Sequence, residues 1–333
     1  MEEMIHTVEE PTVQTPKKCI SVLVPTYNEE ENVVPLTEAI VAEFAKSLPQ
    51  YDYDITFIDN CSTDTTRQKL EALCAANPQV RAIFNVRNFG QFNSPYYGIC
   101  QTTGDCTIVM CADFQDPIEM IPKLVAEWEK GYKVVCAVKE TSRENKVMRA
   151  LRTCYYKMIR KMSSVEQIEH FTGFGLYDHT FVDVMRQLDD PNPFLRGVVA
   201  ELGFAKRFVP YEQAQRRAGK THNNFRTLYD AAMQSFTTYT KTPIRFVMGL
   251  GIFLLAISCL GAAACLVLHC LDVKMHDQLW LLPTIGVFGS LNLIATSLVG
   301  EYLLTLRAKM TKRPLVIEER RINFDADDSA KRN

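Results

Sequence analysis

Cys19-Ile20-Ser21-Val22-Leu23-Val24-Pro25, followed by Thr26-Tyr27-Asn28-Glu29-Glu30-Glu31-Asn32, decides the fold. The first seven residues are a short apolar, β-branched run, the pattern of a strand buried on both faces. The next seven form a polar, acidic loop, and beyond it Leu36, Ile40, Phe44 and Leu48 recur at helical spacing. The alternation repeats outward along the chain. Residues 54–58 read as strand, 64–77 as helix, 80–85 as strand, 92–101 as helix and 106–111 as strand. Residues 117–130 read as a helix with Pro117 in its first turn, and 133–139 as a further strand. Strands alternating with helices predict an α/β domain with a largely parallel sheet. Ligands bind outside the carboxyl ends of such strands. The polar clusters fall at those ends: Tyr27-Asn28-Glu29, Asp59-Asn60, Arg87-Asn88 and Asp113-Phe114-Gln115-Asp116. Further on, 146–162 reads as a helix and 172–175 as a glycine-rich turn.

At 333 residues, 47% hydrophobic and 23% charged, the chain has room for about two domains. That composition excludes disorder, collagen-like repeats and a simple coiled coil. The 37 Lys and Arg against 39 Asp and Glu leave a net charge of −2, which argues against a general nucleic-acid binder. The 11 cysteines include no CxxC pair and no zinc-like Cys/His spacing, so they read as reduced thiols facing a cytosol. Residues 1–18 read as a solvated polar tail without the apolar core of a signal peptide.

The last third differs in character. Phe225, Leu228, Ala232, Phe236 and Tyr239 form one stripe opposed by Arg226, Asp230 and Gln234, and Pro243 ends it. Such a stripe suits a helix lying on a bilayer or one packed on a core. Residues 246–270 and 279–306 are apolar over more than the ~20 residues that cross ~30 Å of hydrocarbon. Lys241 and Arg245 precede the first run, and Arg307, Lys309, Lys312 and Arg313 follow the second. The positive-inside bias predicts a two-helix hairpin in the inner (plasma) membrane with both termini cytoplasmic. Glu301 is the only Asp, Glu, Lys or Arg in the two runs, so no paired intramembrane charges suggest an ion pathway.

Three loops carry candidate chemistry. Tyr27-Asn28-Glu29 can accept hydrogen bonds from a base or ribose, although glutamates in a first turn also favour a helix start. Asp59 can hydrogen-bond a nucleotide, and Asp64 can cap the helix that follows. Asp113 beside Gln115 suits a hard divalent ion shared with a diphosphate, while Asp116 before Pro117 reads in part as a helix cap.

Together VPTYNEEEN (24–32), IDNCSTDTT (58–66), RNFG (87–90), GD (104–105), CADFQDP (111–117) and RRAGKT (216–221) resemble glycosyltransferase family 2. Within it the chain is similar to the polyprenyl-phosphate glycosyltransferases, the bactoprenol glucosyltransferases and dolichyl-phosphate mannose synthases. The likeness runs from about residue 19 to 320, taking in both apolar runs and Gly300-Glu301-Tyr302. It implies a GT-A (Rossmann-like) catalytic domain at 19–222. A juxtamembrane helix at 223–245, a transmembrane hairpin at 246–306 and a cytoplasmic tail at 307–333 would follow. It also implies inverting transfer of one sugar from a nucleotide-sugar, expected to be a UDP-sugar, to a polyprenyl phosphate, and a homo-oligomer, a tetramer.

By position, the resemblance puts Pro25, Tyr27, Asn28, Glu29 and Asp59 along the nucleotide site, braced by Arg87 and Asn88. Cys111 and Ala112 would adjoin the donor, and Asp113 and Gln115 would hold Mg2+ or Mn2+. Arg216 matches the family arginine near the phosphates, with Arg217, Lys220 and His222 placed to receive the acceptor phosphate. Asp113, Asp116 and Arg216 are the candidate catalytic residues. One departure matters: the family usually carries Asp-x-Asp where this chain has Cys111-Ala112-Asp113. A thiol is a poor ligand for magnesium or manganese, so metal binding would rest on Asp113, Gln115 and the diphosphate. Two other readings stay open: transfer to a sugar hydroxyl, which wants a base, and a non-catalytic nucleotide-sugar binder, which Cys111 favours.

Overall fold

The computed structural model describes residues 17–140, 168, 170–188, 193–214, 217 and 314–324, with single helical positions between 285 and 306. The expected helices at 146–162 and 223–245, the first apolar run and most of the second lie outside the described residues. Among the described residues no helix is long and apolar enough to cross a membrane.

Eight strands are described: β1 (Cys19–Thr26), β2 (Asp52–Asp59), β3 (Val80–Asn85), β4 (Cys106–Val109), β5 (Val134–Lys139), β6 (Phe171–Asp178), β7 (Lys206–Tyr211) and β8 (Glu318–Ile322). The helices among them are α1 (Val33–Ser47), α2 (Thr66–Ala76), α3 (Gly90–Gln101), α4 (Met120–Glu129), α5 (His179–Gln187) and α6 (Leu195–Glu201). All eight strands join one sheet in the order β7-β5-β6-β4-β1-β2-β3-β8. Pairs β4–β1, β1–β2, β2–β3 and β5–β7 are parallel, whereas β6 runs antiparallel to β4 and β5, and β8 antiparallel to β3. The sheet is therefore mixed rather than largely parallel.

Side-chain alternation explains the two helical layers. Ile20, Val22 and Val24 of β1 face one layer with Ile55 and Phe57 of β2 and Phe84 of β3; Leu23, Ile58 and Ile83 face the other. On the first side α1 presents Val33, Leu36, Ile40 and Phe44, and α4 presents Ile121, Leu124, Val125 and Trp128. On the second, α3, α5 and α6 bring Tyr96, Ile99, Phe181, Met185 and Val199. Each such burial is worth ~1.5–3 kcal/mol before the entropy cost of ordering. The four parallel strands β4, β1, β2 and β3 thus end at one rim, with their following loops side by side.

Three expectations are corrected. Residues 172–175 are no turn: they lie inside β6. Gly175 is needed there because a Cβ would stand 2.4 Å from the Val135 carbonyl oxygen, and Gly173, at φ +104°, serves the irregular β5–β6 register. Helix α4 starts at Met120, not Pro117. A start at Pro117 would place the Pro122 ring against the Ile118 carbonyl four residues back, whereas a start at Met120 leaves Pro122 in the first turn, where its missing N–H costs nothing. Glu318–Ile322, read only as part of a cytoplasmic tail at 307–333, is the edge strand β8 of the same sheet.

Candidate functional site

The loops after β1 and β2 are stitched to each other. The Asn28 N–H donates to Ser62 Oγ at 2.9 Å, and its side-chain oxygen accepts from the Thr63 N–H at 2.8 Å. The Glu29 N–H donates to Thr66 Oγ1, and the Glu29 carboxylate accepts from the Asn32 amide at 2.7 Å. Thr65 donates through both N–H and hydroxyl to Glu30, which holds that carboxyl below its ordinary value. Asp64 accepts the Thr66 N–H at 3.0 Å one residue before the N-cap of α2, which is Thr65. Asp59 is fully buried; it accepts from the Ser62 hydroxyl at 2.5 Å and N–H at 3.1 Å, with Arg67 Nε at 3.2 Å. Burial pushes its carboxyl up, against those partners. The Asp59 carboxylate thus braces the loop from behind.

An amide network carries the same bracing to the loop after β3. Asn60 Oδ1 accepts from the Phe89 N–H and the Asn85 amide, while its Nδ2 donates to Asn88 Oδ1 at 2.9 Å and the Gly90 carbonyl at 3.2 Å. Arg87 is exposed, its guanidinium 4.1 Å from the Phe89 ring centroid. Asn28, Cys61 and Phe114 sit at φ 57°, 63° and 61°. One left-handed non-glycine residue thus stands on each of the loops after β1, β2 and β4. Such strain clusters where surrounding bonds over-determine a functional loop.

The loop after β4 holds the carboxylates. Asp113 is buried, and its Oδ1 accepts the Gln115 N–H at 3.1 Å. Asp116, also buried, accepts the Cys111 N–H at 2.9 Å on Oδ2 and the Tyr211 hydroxyl at 3.1 Å on Oδ1. It fastens the ends of β4 and β7 together and does not cap α4. Burial pushes the Asp116 carboxyl up; Cys111, Tyr211 and the Lys139 charge pull the other way. Next to it the Asp116 carboxylate, then desolvation and Asp113, push the Cys111 thiol well above its ordinary value. Cys111 is an exposed residue, so the flanking carboxylates dominate, and the thiol is protonated at neutral pH.

The chain after β7 then lies along this loop: the Ala214 N–H donates to the Gln115 carbonyl and the Arg217 N–H to the Asp113 carbonyl, each at 3.3 Å. The Arg217 guanidinium stands 5.1 Å from the Phe114 ring centroid. Pro25, Tyr27, Asn28, Glu29, Asp59, Arg87, Asn88, Cys111, Ala112, Asp113, Gln115, Asp116 and Arg217 accordingly occupy one rim. Arg216, Lys220 and His222 lie outside the described residues. Sequence reasoning passed over Tyr211 and Lys139, which pair across β7 and β5, and Ser62 and Arg67, which carry the Asp59 contacts. Lys139 closes a strand legible in the sequence, so the strand-end rule that singled out Asp113 would have found it; Tyr211 closes β7, an edge strand without a local strand pattern, so the sequence held no comparable signal for it.

Magnesium and manganese sites shared with a phosphate use one or two carboxylates and keep waters. Among the described residues no three His, Cys, Asp or Glu side chains gather into a metal cage. Both Asp116 oxygens have donors, and the Cys111 thiol is protonated. That donor set, centred on Asp113 with Gln115 beside it, fits an ion that completes its shell with phosphate oxygens and water.

An acidic, over-determined rim at the carboxyl ends of parallel strands, with Arg217 beside it, is the place where an α/β enzyme of this kind binds its ligand. The Glycosyl transferase family 2 model matches residues 21–182. The bactoprenol glucosyl transferase of Shigella phage SfX is 30% identical over 297 residues, 89% of this chain and 97% of that protein. The prophage bactoprenol glucosyl transferase homolog of Escherichia coli (strain K12) is 30% identical over 90% of this chain and 98% of that protein. A putative glycosyltransferase of Bacillus subtilis (strain 168) is 29% identical over 89% of each. Among solved structures, glucosyl-3-phosphoglycerate synthase from Mycobacterium tuberculosis, with Mn2+, UDP and phosphoglyceric acid, gives a TM-score of 0.44 at 17% identity over 66% of this chain and 77% of that one. That likeness is too loose to carry any residue's role. The chain belongs to glycosyltransferase family 2. It is a glycosyltransferase, and its mixed α/β sheet domain is GT-A-like.

Proposed function

We propose that the protein moves one sugar, with inversion, from a UDP-sugar to a polyprenyl phosphate at the cytoplasmic face of a membrane. The observation that carries this reading is the pair of backbone bonds laying Ala214 and Arg217 along Gln115 and Asp113. They bring Arg217, the described residue of the basic segment 216–222, to the carboxylate loop. A lipid phosphate has a second pKa near ~6 and is largely dianionic at neutral pH. It needs cationic positioning in line with the anomeric carbon more than a general base. Arg216, Arg217, Lys220 and His222 offer that charge. Asp113, helped by Gln115, would hold Mg2+ or Mn2+, which neutralises the departing diphosphate when bound. Relatives named bactoprenol glucosyl transferases, matching along nearly their whole length, support a glucosyl donor and this acceptor class.

The membrane hairpin at 246–306 is part of the proposal. Of the described helical positions in its second run, Ile285, Val299, Leu303 and Leu306 expose 62%, 49%, 60% and 54% of their surface. Apolar side chains so exposed suit lipid. A reporter fused after Asn333 should be cytoplasmic and one at Lys274 external; the reverse would sink the anchor.

The decisive experiment incubates membranes bearing the protein with labelled nucleotide sugars, with and without polyprenyl phosphate. A labelled lipid-linked monosaccharide is expected. Nucleotide binding without any transfer would favour a binding protein, and transfer only to a sugar hydroxyl would favour the other enzyme class.

A further inference from the structure

Edge strand β8 follows the apolar runs in the chain, yet it reaches the back of the donor-side loops. Glu319 Oε2 lies 2.7 Å from Arg67 Nη2, and Arg67 Nε lies 3.2 Å from Asp59 Oδ2. Asp59 holds Ser62 by hydroxyl and N–H, and Ser62 Oγ in turn accepts the N–H of left-handed Asn28. One line of contacts therefore runs from β8 through α2 to the loop after β1. Arg67 itself is fixed between them, its guanidinium 5.1 Å from the Phe84 ring centroid.

We propose that Glu319 and Arg67 are positioning residues: β8 clamps the donor loop through Asp59 and Ser62, setting nucleotide affinity from the chain that emerges beyond the apolar runs. The proposal rests on the reading of that loop as a nucleotide site. A buried carboxylate such as Asp59 depends on its nearby cation, since an uncompensated buried charge is costly. Arg67 can serve Asp59 in one orientation only if its other end is held, and Glu319 holds it.

The docking of β8 does not depend on Glu319. Backbone pairs Ala82↔Ile322, Ile83↔Arg321 and Phe84↔Arg320 tie it to β3. The Asn323 side chain donates to the carbonyls of Cys74 at 2.7 Å and Val80 at 2.8 Å, and Arg320 pairs with Glu71. This separates clamping from docking, because Glu71→Gln cuts a second ion pair on the same strand without touching Arg67.

The test compares the full chain with Glu319→Gln, Glu319→Asp and Glu71→Gln. KM and kcat for the nucleotide sugar, UDP affinity by calorimetry, and hydrogen exchange of the Asn28 and Thr63 amides are measured at low and high salt. Glu319→Gln should raise donor KM about two- to fivefold with kcat unchanged, the reach of a half-exposed ion pair. UDP affinity should fall by the same factor, the two amides should exchange faster, and high salt should narrow the gap. Glu319→Asp should recover part of the loss, and Glu71→Gln should match wild type. Equal effects from Glu71→Gln and Glu319→Gln would reduce β8 to a docking strand and overturn the clamp, as would unchanged amide exchange. Faster exchange with unchanged UDP affinity would instead overturn the nucleotide reading of this loop while leaving the mechanical link.

Discussion

Replacing Tyr211 by Phe removes one hydroxyl from a place where two distant parts of the chain meet. Tyr211 is 4% exposed and Asp116 3% exposed, so water cannot readily stand in for the lost donor at Asp116 Oδ1. A hydrogen bond to a charged group is worth ~1.5–3 kcal/mol. For a cooperative unit of this size each kcal/mol shifts Tm by ~2–4 °C, so a drop of ~3–12 °C is expected. The pH dependence has a definite sign. Burial holds the Asp116 carboxyl above its ordinary value. A folded state with the higher carboxyl pKa binds more protons than the unfolded chain, so stability falls as pH rises from the unfolded pKa through the folded one. The Tyr211 hydroxyl opposes this by favouring the carboxylate. Without it the folded pKa climbs further, and the variant loses more stability than wild type as pH rises above the unfolded carboxyl value of about 4. The Tm gap should therefore be widest near neutrality and narrow toward about pH 4. Thermal unfolding of the detergent-solubilised chain across that range measures it. A gap below about 1 °C at neutral pH, or one flat with pH, would mean that Asp116 does not lean on Tyr211.

Other outcomes test the rim itself. Asp113→Asn should leave a folded protein with turnover reduced by ~10²–10³, the scale of losing one preorganised electrostatic contact; near-normal kcat would place the diphosphate elsewhere. Cys111→Ser should keep most activity, because a protonated thiol adds no charge, whereas Cys111→Asp should lower Tm without metal and recover it with Mg2+ or Mn2+. Loss of activity in Cys111→Ser would reveal a role for sulfur that these contacts do not explain. Arg217→Ala should raise KM for polyprenyl phosphate more than Arg226→Ala does, as measured by steady-state kinetics in mixed micelles. Equal, salt-sensitive losses would reduce both to attraction toward anionic headgroups.

The legible parts of the sequence are those whose burial is two-sided. β1 to β5 are packed on both faces, so each contains a short apolar or β-branched stretch, such as Val22-Leu23-Val24 or Val134-Val135-Cys136-Ala137, and the rim loops follow at their ends. β6 is illegible because Phe171-Thr172-Gly173-Phe174-Gly175 carries Gly175, which lets β5 approach, and left-handed Gly173, and such glycine pairs look like a turn. β7 and β8 are edge strands, where a polar or charged residue can face water without cost. Lys206-Arg207-Phe208-Val209-Pro210-Tyr211 and Glu318-Glu319-Arg320-Arg321-Ile322 therefore show no local strand pattern. The same physics limited the site. Position along the chain placed Asp113, Asp59 and Asn28 at strand ends, but their partners are decided by packing: Tyr211 reaches Asp116 across 95 residues and Glu319 reaches Arg67 across 252. Charge complementarity between 318–321 and α2 is present in the sequence as Arg67 and Glu71 against Glu319 and Arg320. It becomes a signal only once β8 is known to lie beside β3, because that pairing, and no local propensity, sets Glu319 and Arg320 within reach of Arg67 and Glu71 on α2.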